Sequence, residues 1–124
     1  MANIDAFLKN KNLFERNTSE IEILPGLPVK LGSLNYDEFK KVLENSKNGA
    51  TYQEMDELAY QLETVMYGLV DPTAKELQKM DASYKTPKDA VAKTFNAEQI
   101  SKLAMEITKL SDFGGDNVTE IKND

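Results

Sequence analysis

Several short stretches of the chain carry the chemistry of a helix start, and this repetition restricts the fold more than any other feature. In each stretch, Asn or Thr precedes an acidic or amide residue by three positions, so its side chain can accept the backbone N–H of that residue. These pairs begin at Asn35, Thr51, Thr86 and Asn96. Asp71-Pro72 is a further candidate start, because proline suits the first turn of a helix. The sequence therefore predicts several short helices.

Apolar periodicity extends these starts into helices. We expect helices near 36–47, 52–70, 73–80, 87–94 and 97–112, preceded by a short N-terminal helix capped by Asn3, and Gly49 would close the first of the five. The longest helix carries a stripe that predicts the spine of the core: Met55, Leu58, Ala59, Leu62, Val65, Met66 and Leu69. The stripe of the last helix comprises Ile100, Leu103, Ala104, Ile107 and Leu110, with Met105 off it.

Between the N-terminal helix and the helix start at Asn35, apolar residues recur at every second position. Ile21 and Ile23 alternate with glutamates, and Pro25-Gly26 has the chemistry of a type II turn. This pattern predicts a β-hairpin, and Pro28 favours an edge position because it cannot donate a ladder hydrogen bond. The predicted fold is mainly α, a small helical domain with a short N-terminal β-hairpin. We expect a single domain over residues 1–113 and a flexible acidic tail over 114–124.

Composition argues against several classes of function. The net charge is −6 and Arg16 is the only arginine, which argues against nucleic-acid binding. The absence of cysteine and histidine removes thiolate metal sites and histidine-based proton transfer. No apolar run is long enough to span a membrane, and we expect an intracellular protein without a signal peptide. No phosphate-binding or nucleophile motif is present, so we expect no catalytic residue, no cofactor and no metal site.

A carboxylate-only metal site in the C-terminal region is the remaining chemical alternative. Asp112, Asp116 and Glu120 recur every four residues, but Gly114-Gly115 would interrupt any helix that aligned them. The spacing is also not that of a calcium loop. A solvated acidic tail is the favoured interpretation.

Two features could bind a protein partner. Tyr60 and Tyr67 lie seven residues apart beside the stripe of the longest helix, and Leu110 with Phe113 marks the end of the last one. Tyrosines in such positions are common at interfaces but also at half-buried boundaries, and the last helix can simply complete the core. If Phe113 contacts a partner, Phe113→Ala should weaken partner binding and leave the melting temperature nearly unchanged.

The order of several short motifs resembles a known family. The segments I-D-A-F-L-K-N, P-V-K-L-G-S-L-N-Y-D-E-F, E-L-Q-K-M-D-A-S-Y and F-N-A-E-Q-I-S-K-L-A-M-E-I-T-K-L-S-D-F are similar to the XkdN-like tail assembly chaperones of phages and defective prophages of Gram-positive bacteria. This chain departs from the family pattern in the strand region, where an aromatic residue is expected and tryptophan is absent. The resemblance covers most of the chain.

This resemblance implies a non-catalytic role in the host bacterial cytoplasm. Such chaperones bind the long, helical, apolar tape measure protein and keep it soluble until the tail tube, whose protein is a possible second partner, assembles around it. They are absent from the mature virion. For the isolated protein we expect at most weak self-association. The alternatives are a structural tail or connector component of the virion, or a small acidic inhibitor of a host protein.

Overall fold

The fold is mainly α with a small antiparallel sheet, as the sequence predicts. The computed structural model describes residues 2–9, 16–47 and 56–111. The helices of these ranges are α1 (Ala2–Lys9), α2 (Tyr36–Ser46), α3 (Glu57–Gly68), α4 (Ala74–Gln78), α5 (Pro87–Thr94) and α6 (Ala97–Leu110). The strands are β1 (Thr18–Leu24), β2 (Leu27–Gly32) and β3 (Leu69–Asp71). Gly49, Met55, the Thr51 helix start, Phe113 and the predicted tail lie outside the described residues.

The predicted hairpin is present and forms two strands of a three-stranded sheet with the order β1-β2-β3. Ile21 lies opposite Val29, and Gly26 takes a φ of 77° in the turn, a conformation that glycine adopts without strain. The expectation that Pro28 marks an edge strand is wrong, because β2 is central. β3 pairs with β2 at Lys30 and Leu31, so a second ladder never reaches the proline.

The third strand was not predicted, and the helix expected over 52–70 is shorter at both ends, since α3 runs from Glu57 to Gly68. α3 stops at Gly68, and Leu69 turns into an extended conformation while its N–H still bonds to the carbonyl of Val65. Leu69 pairs with Leu31 of β2. The apolar periodicity continues across this boundary, since Leu69 is buried in the strand as it would be in the helix. Pairing with a distant strand decides the conformation here.

Helix caps were predicted correctly at three helices and wrongly at three others. The cap expected at Asn3 is wrong because α1 begins at Ala2, and α3 is capped by Asp56 instead of Thr51. Asn35 and Asn96 form complete capping boxes with Glu38 and Gln99, and Thr86 caps α5. The start proposed at Asp71-Pro72 is wrong, because α4 is capped by Thr73. Thr73 Oγ1 accepts the N–H of Glu76 at 3.1 Å, and Glu76 Oε1 accepts the N–H of Thr73 at 2.8 Å. The proline therefore precedes the cap instead of occupying the first turn.

The Thr73 capping box makes a testable prediction about Glu76. Hydrogen bonds from the Thr73 backbone and then its hydroxyl lower the pKa of Glu76 from its ordinary value. The resulting stabilisation is present above the unfolded-state pKa and is lost as pH falls through the lower folded-state pKa. Thr73→Ala keeps the larger backbone contribution and removes the hydroxyl, so it should raise this pKa part of the way toward that of an unperturbed glutamate, and Thr73→Ser should not. An NMR titration of the Glu76 carboxyl carbon checks this, and equal midpoints in all three proteins would contradict it.

The core lies between the sheet and the helices. Val29 and Leu31 from β2, Val65 from α3, Val91 from α5 and Leu103 from α6 are among its buried members. One residue of the predicted spine is misplaced, since Leu58 is 71% exposed. Leu58 lies in the first turn of α3, before that helix enters the core. The predicted helix is therefore correct at this position, but the predicted burial of Leu58 is wrong.

At two glycines, neighbouring elements pack so closely that a side chain would not fit. A Cβ added at Gly68 would lie 2.3 Å from Cδ1 of Ile107, so the glycine allows α3 to approach α6. At Gly32, the Arg16 side chain occupies the space that a Cβ would need. Arg16 Nη2 contacts both carboxylate oxygens of Glu38, and Nη1 donates to the carbonyl of Tyr67 at 3.1 Å. The arginine thus ties the start of β1 to α2 and α3.

A buried charge connects three helices. Glu63 of α3 is 1% exposed. Its Oε1 accepts a hydrogen bond of 3.0 Å from Asn45 Nδ2 on α2, and its Oε2 contacts Lys88 Nζ on α5. Since a carboxylate is costly to bury without a partner, these contacts make the relative positions of α2, α3 and α5 interdependent.

Candidate functional site

A groove between α3 and α6 is the strongest candidate for a binding surface. It consists of two adjoining depressions of about 310 and 230 Å³ that share Gln61. Leu58 of α3 and Met105 of α6 line it and are 71% and 57% exposed. We call this surface the α3–α6 groove. Exposed apolar side chains beside a concave surface are typical of sites that receive a protein segment.

Small side chains line the α6 side of this groove. Ala97, Ser101, Ala104 and Thr108 recur at spacings of four, three and four, which places them on one face of the helix. Thr108 Oγ1 donates to the carbonyl of Ala104 at 2.8 Å, so its hydroxyl is satisfied within the helix. Ile100, Met105 and Lys109 flank this row of small side chains, and along the row the backbone of a bound helix can come close to α6.

Tyr60 belongs to this groove. It is half-buried on α3, whose first turn is fixed by the side chain of Asp56, which accepts the N–H of Ala59 at 3.1 Å. Burial raises the pKa of the Tyr60 phenol from its ordinary value, because the low-dielectric surroundings disfavour the phenolate. The phenol is therefore neutral at physiological pH and offers both an apolar ring and a hydroxyl.

Tyr67 lies in a different depression. This second site, which we call the α4 pocket, has a volume of about 320 Å³ and is lined by Met66, Tyr67, Leu69, Thr73, Ala74, Lys75 and Pro87. The two tyrosines are two helical turns apart on α3, yet α6 flanks the first and α4 flanks the second. The structure therefore does not bring Tyr60 and Tyr67 into one site.

The other two predicted binding residues lie at the C-terminal end of α6. Leu110 is half-buried and packs against the core, and its carbonyl accepts a 3.4 Å hydrogen bond from Asn17. The α3–α6 groove reaches Lys109 but does not include Leu110. Phe113 lies outside the described residues. The part played by both in partner binding stays a prediction.

Sequence reasoning missed Leu58, Met105 and the small residues as members of a common surface. Met105 was noted as lying off the apolar stripe of its helix, which is the signal that could have identified it. Leu58 gave no such signal, because its spacing matches the core stripe of α3. The residues of the groove come from helices about forty positions apart, so the surface is visible only after α3 and α6 have packed.

Neither a metal-binding cluster nor a membrane-spanning helix is found among the described residues. Over 2–9, 16–47 and 56–111, no three acidic, histidine or cysteine side chains are grouped so that they could hold a metal ion. None of the helices in these ranges combines the length and apolar character needed to cross a bilayer. The charged side chains that line the α3–α6 groove are Glu57 and Lys109, of opposite sign. The arrangement can bind an apolar surface.

Comparison with known proteins gives one match. A family model described as "Phage XkdN-like tail assembly chaperone protein" matches residues 4–122. No curated protein matches the chain. No solved structure matches it either.

Proposed function

Since the chain belongs to the family of phage XkdN-like tail assembly chaperone proteins, we propose that it binds the tape measure protein and keeps it soluble until the tail tube assembles. The family is non-catalytic in general, and a tail assembly chaperone implies protein partners in the phage tail. The observation that carries the finer proposal is the α3–α6 groove. Its exposed Leu58 and Met105 flank a face of small residues, which suits an apolar helix.

A tape measure segment would bind with its apolar face in the groove. Leu58 and Met105 would lose their exposure to water, and the small residues of α6 would let the two backbones approach. The net charge of −6 would help to keep the complex in solution. One groove of this size gives modest affinity, so many copies along one client would supply the avidity while each contact stays reversible.

The remaining parts of the proposal concern place and timing. The protein would act in the host bacterial cytoplasm and leave the client when the tail tube protein assembles around it, so the mature virion would lack it. A structural tail or connector component would instead persist in the particle. Mass spectrometry of purified virions separates these two functions, because stoichiometric recovery of the chain from particles would contradict the chaperone proposal.

Replacing the two exposed groove residues tests the binding surface. We expect Leu58→Ser and Met105→Ser each to weaken binding of a co-expressed tape measure fragment by about tenfold, the cost of leaving one large apolar side chain without burial in the complex. Both residues are mostly exposed, so the melting temperature should change little. Quantitative pull-down and thermal unfolding measure the two effects.

Met80 supplies a matched control for these substitutions. It is 62% exposed and follows α4, away from the groove, so Met80→Ser removes a similar amount of exposed apolar surface. Equal loss of client with all three variants would show that the groove is not the binding site. Failure to recover any client with the unaltered protein would contradict the proposed function itself.

A further inference from the structure

The N-terminal helix presents an apolar face that is mostly exposed. Ile4 and Leu8 lie one turn apart on α1 and are 59% and 65% exposed. Asp5 lies at the flank of this face. In the described part of the chain, Asp5 forms no salt bridge. Helix α1 therefore offers two exposed apolar side chains beside one exposed negative charge.

The α4 pocket has complementary properties. Met66, Tyr67, Leu69, Ala74 and Pro87 give it a mainly apolar wall, and Lys75 stands exposed at its edge. Lys75 also forms no salt bridge with a described residue. The volume of about 320 Å³ equals that of about ten water molecules, enough for the eight side-chain carbons of Ile4 and Leu8. Apolar character, size and charge therefore match between helix and pocket.

We propose that α1 of one copy of this protein docks in the α4 pocket of a second copy, with Ile4 and Leu8 in the pocket and Asp5 beside Lys75. None of the described α1 residues lines the α4 pocket of its own chain, and Ile4, Leu8 and Lys75 are exposed. Six residues separate Lys9 from Arg16, and the Arg16 guanidinium is fixed on the carbonyl of Tyr67, itself a pocket residue. The described residues of one molecule thus leave both surfaces open, and a second copy can cover both.

In this contact each copy gives one helix and receives another. Two copies that exchange helices reciprocally form a two-fold dimer, whereas successive docking from copy to copy forms a ring or an open chain. The contact joins neighbouring copies in either case. Its consequence for the client rests on the proposed function, because neighbouring copies on one tape measure protein would then bind cooperatively. The association itself requires no client.

Charge reversal with mixing tests the proposal on the full-length protein. In Asp5→Lys the helix meets Lys75, and in Lys75→Glu the pocket meets Asp5, so each variant alone should associate about two- to fivefold more weakly than the unaltered protein. In an equimolar mixture, each variant's helix faces a pocket of opposite charge on the other variant. Sedimentation equilibrium should therefore show association restored in the mixture. A mixture no stronger than its two components would overturn the proposal.

Two further measurements test whether the apolar side chains drive the association and whether the contact forms between two copies. Ile4→Ser/Leu8→Ser should lower the association constant at least about tenfold, whereas Met80→Ser should not. The chain has no cysteine of its own, so Asp5→Cys and Lys75→Cys copies can be mixed and oxidised without background. We expect a crosslinked heterodimer. A protein that stays monomeric at every concentration, or a doubly substituted chain that crosslinks only within itself, would overturn the proposal and leave the client-binding groove unaffected.

Discussion

Lys88→Met is expected to lower the free energy of unfolding by about 3 kcal/mol, the range reached when one partner of a buried ion pair is removed. Lys88 Nζ contacts Oε2 of Glu63, and that glutamate is 1% exposed. Methionine keeps most of the aliphatic stem of the lysine but leaves the carboxylate buried without a counter-ion. Chemical denaturation monitored by circular dichroism measures the effect.

Replacing Glu63, the buried partner of this ion pair, should cost less stability than replacing Lys88. In Glu63→Leu, the buried position receives an apolar side chain, and Lys88, which is 46% exposed, turns to water. The double variant Glu63→Leu/Lys88→Met should recover most of the stability that Lys88→Met loses, because no buried charge remains.

Another lysine of the same helix is the control. Lys93 pairs with Asp89 at 3.3 Å on the exposed side of α5, so Lys93→Met should change the stability by less than about 1 kcal/mol. If Lys88→Met and Lys93→Met lowered the free energy of unfolding equally, the burial of Glu63 would not contribute to the cost of losing its partner.

Gly68→Ala is expected to destabilise the protein by about 1–3 kcal/mol, the cost of overpacking a core. Helix propensity alone predicts the opposite sign, because alanine is favoured over glycine in a helix by about 1 kcal/mol. Packing should win here, since the added Cβ would lie 2.3, 2.7 and 2.9 Å from Cδ1, Cγ1 and Cγ2 of Ile107. The isoleucine is fully buried and has little room to move.

A double-mutant cycle with Ile107→Val isolates this clash. Valine removes Cδ1, the nearest atom, so the two substitutions together should cost less than the sum of their separate effects. The clash would also push α6 away from α3, and Gly68→Ala should therefore weaken client binding through the shape of the α3–α6 groove. A Gly68→Ala protein as stable as the original would show that the helices do not approach closely at this point.

The caps show what local sequence could predict. Asn35, Thr86 and Asn96 begin their helices as expected, because a capping bond spans only three residues. The hairpin turn at Pro25-Gly26 is equally local. Thr73 was missed although its box with Glu76 is of the same kind, because the preceding Asp71-Pro72 offered a competing start.

The candidate site was less predictable than the fold. Tyr60 was selected as an interface residue and lies in the α3–α6 groove, but Tyr67 lies in the α4 pocket, and their spacing along α3 gave no reason to separate them. Leu58 has the spacing of a core residue and is exposed. Whether a helical position meets core, groove or water depends on the neighbour packed beside it.

The sequence by itself determined the helical fold class, the starts of α2, α5 and α6, and the hairpin, since these depend on contacts within a few residues. Tertiary structure decided that Leu69 leaves the helix to pair with Leu31 and that Glu63 is buried against Lys88. It also decided that Leu58 and Met105 flank one groove. The physical reason is common to all three, because each depends on atoms that lie far apart in the chain and meet only when the helices and the sheet pack together.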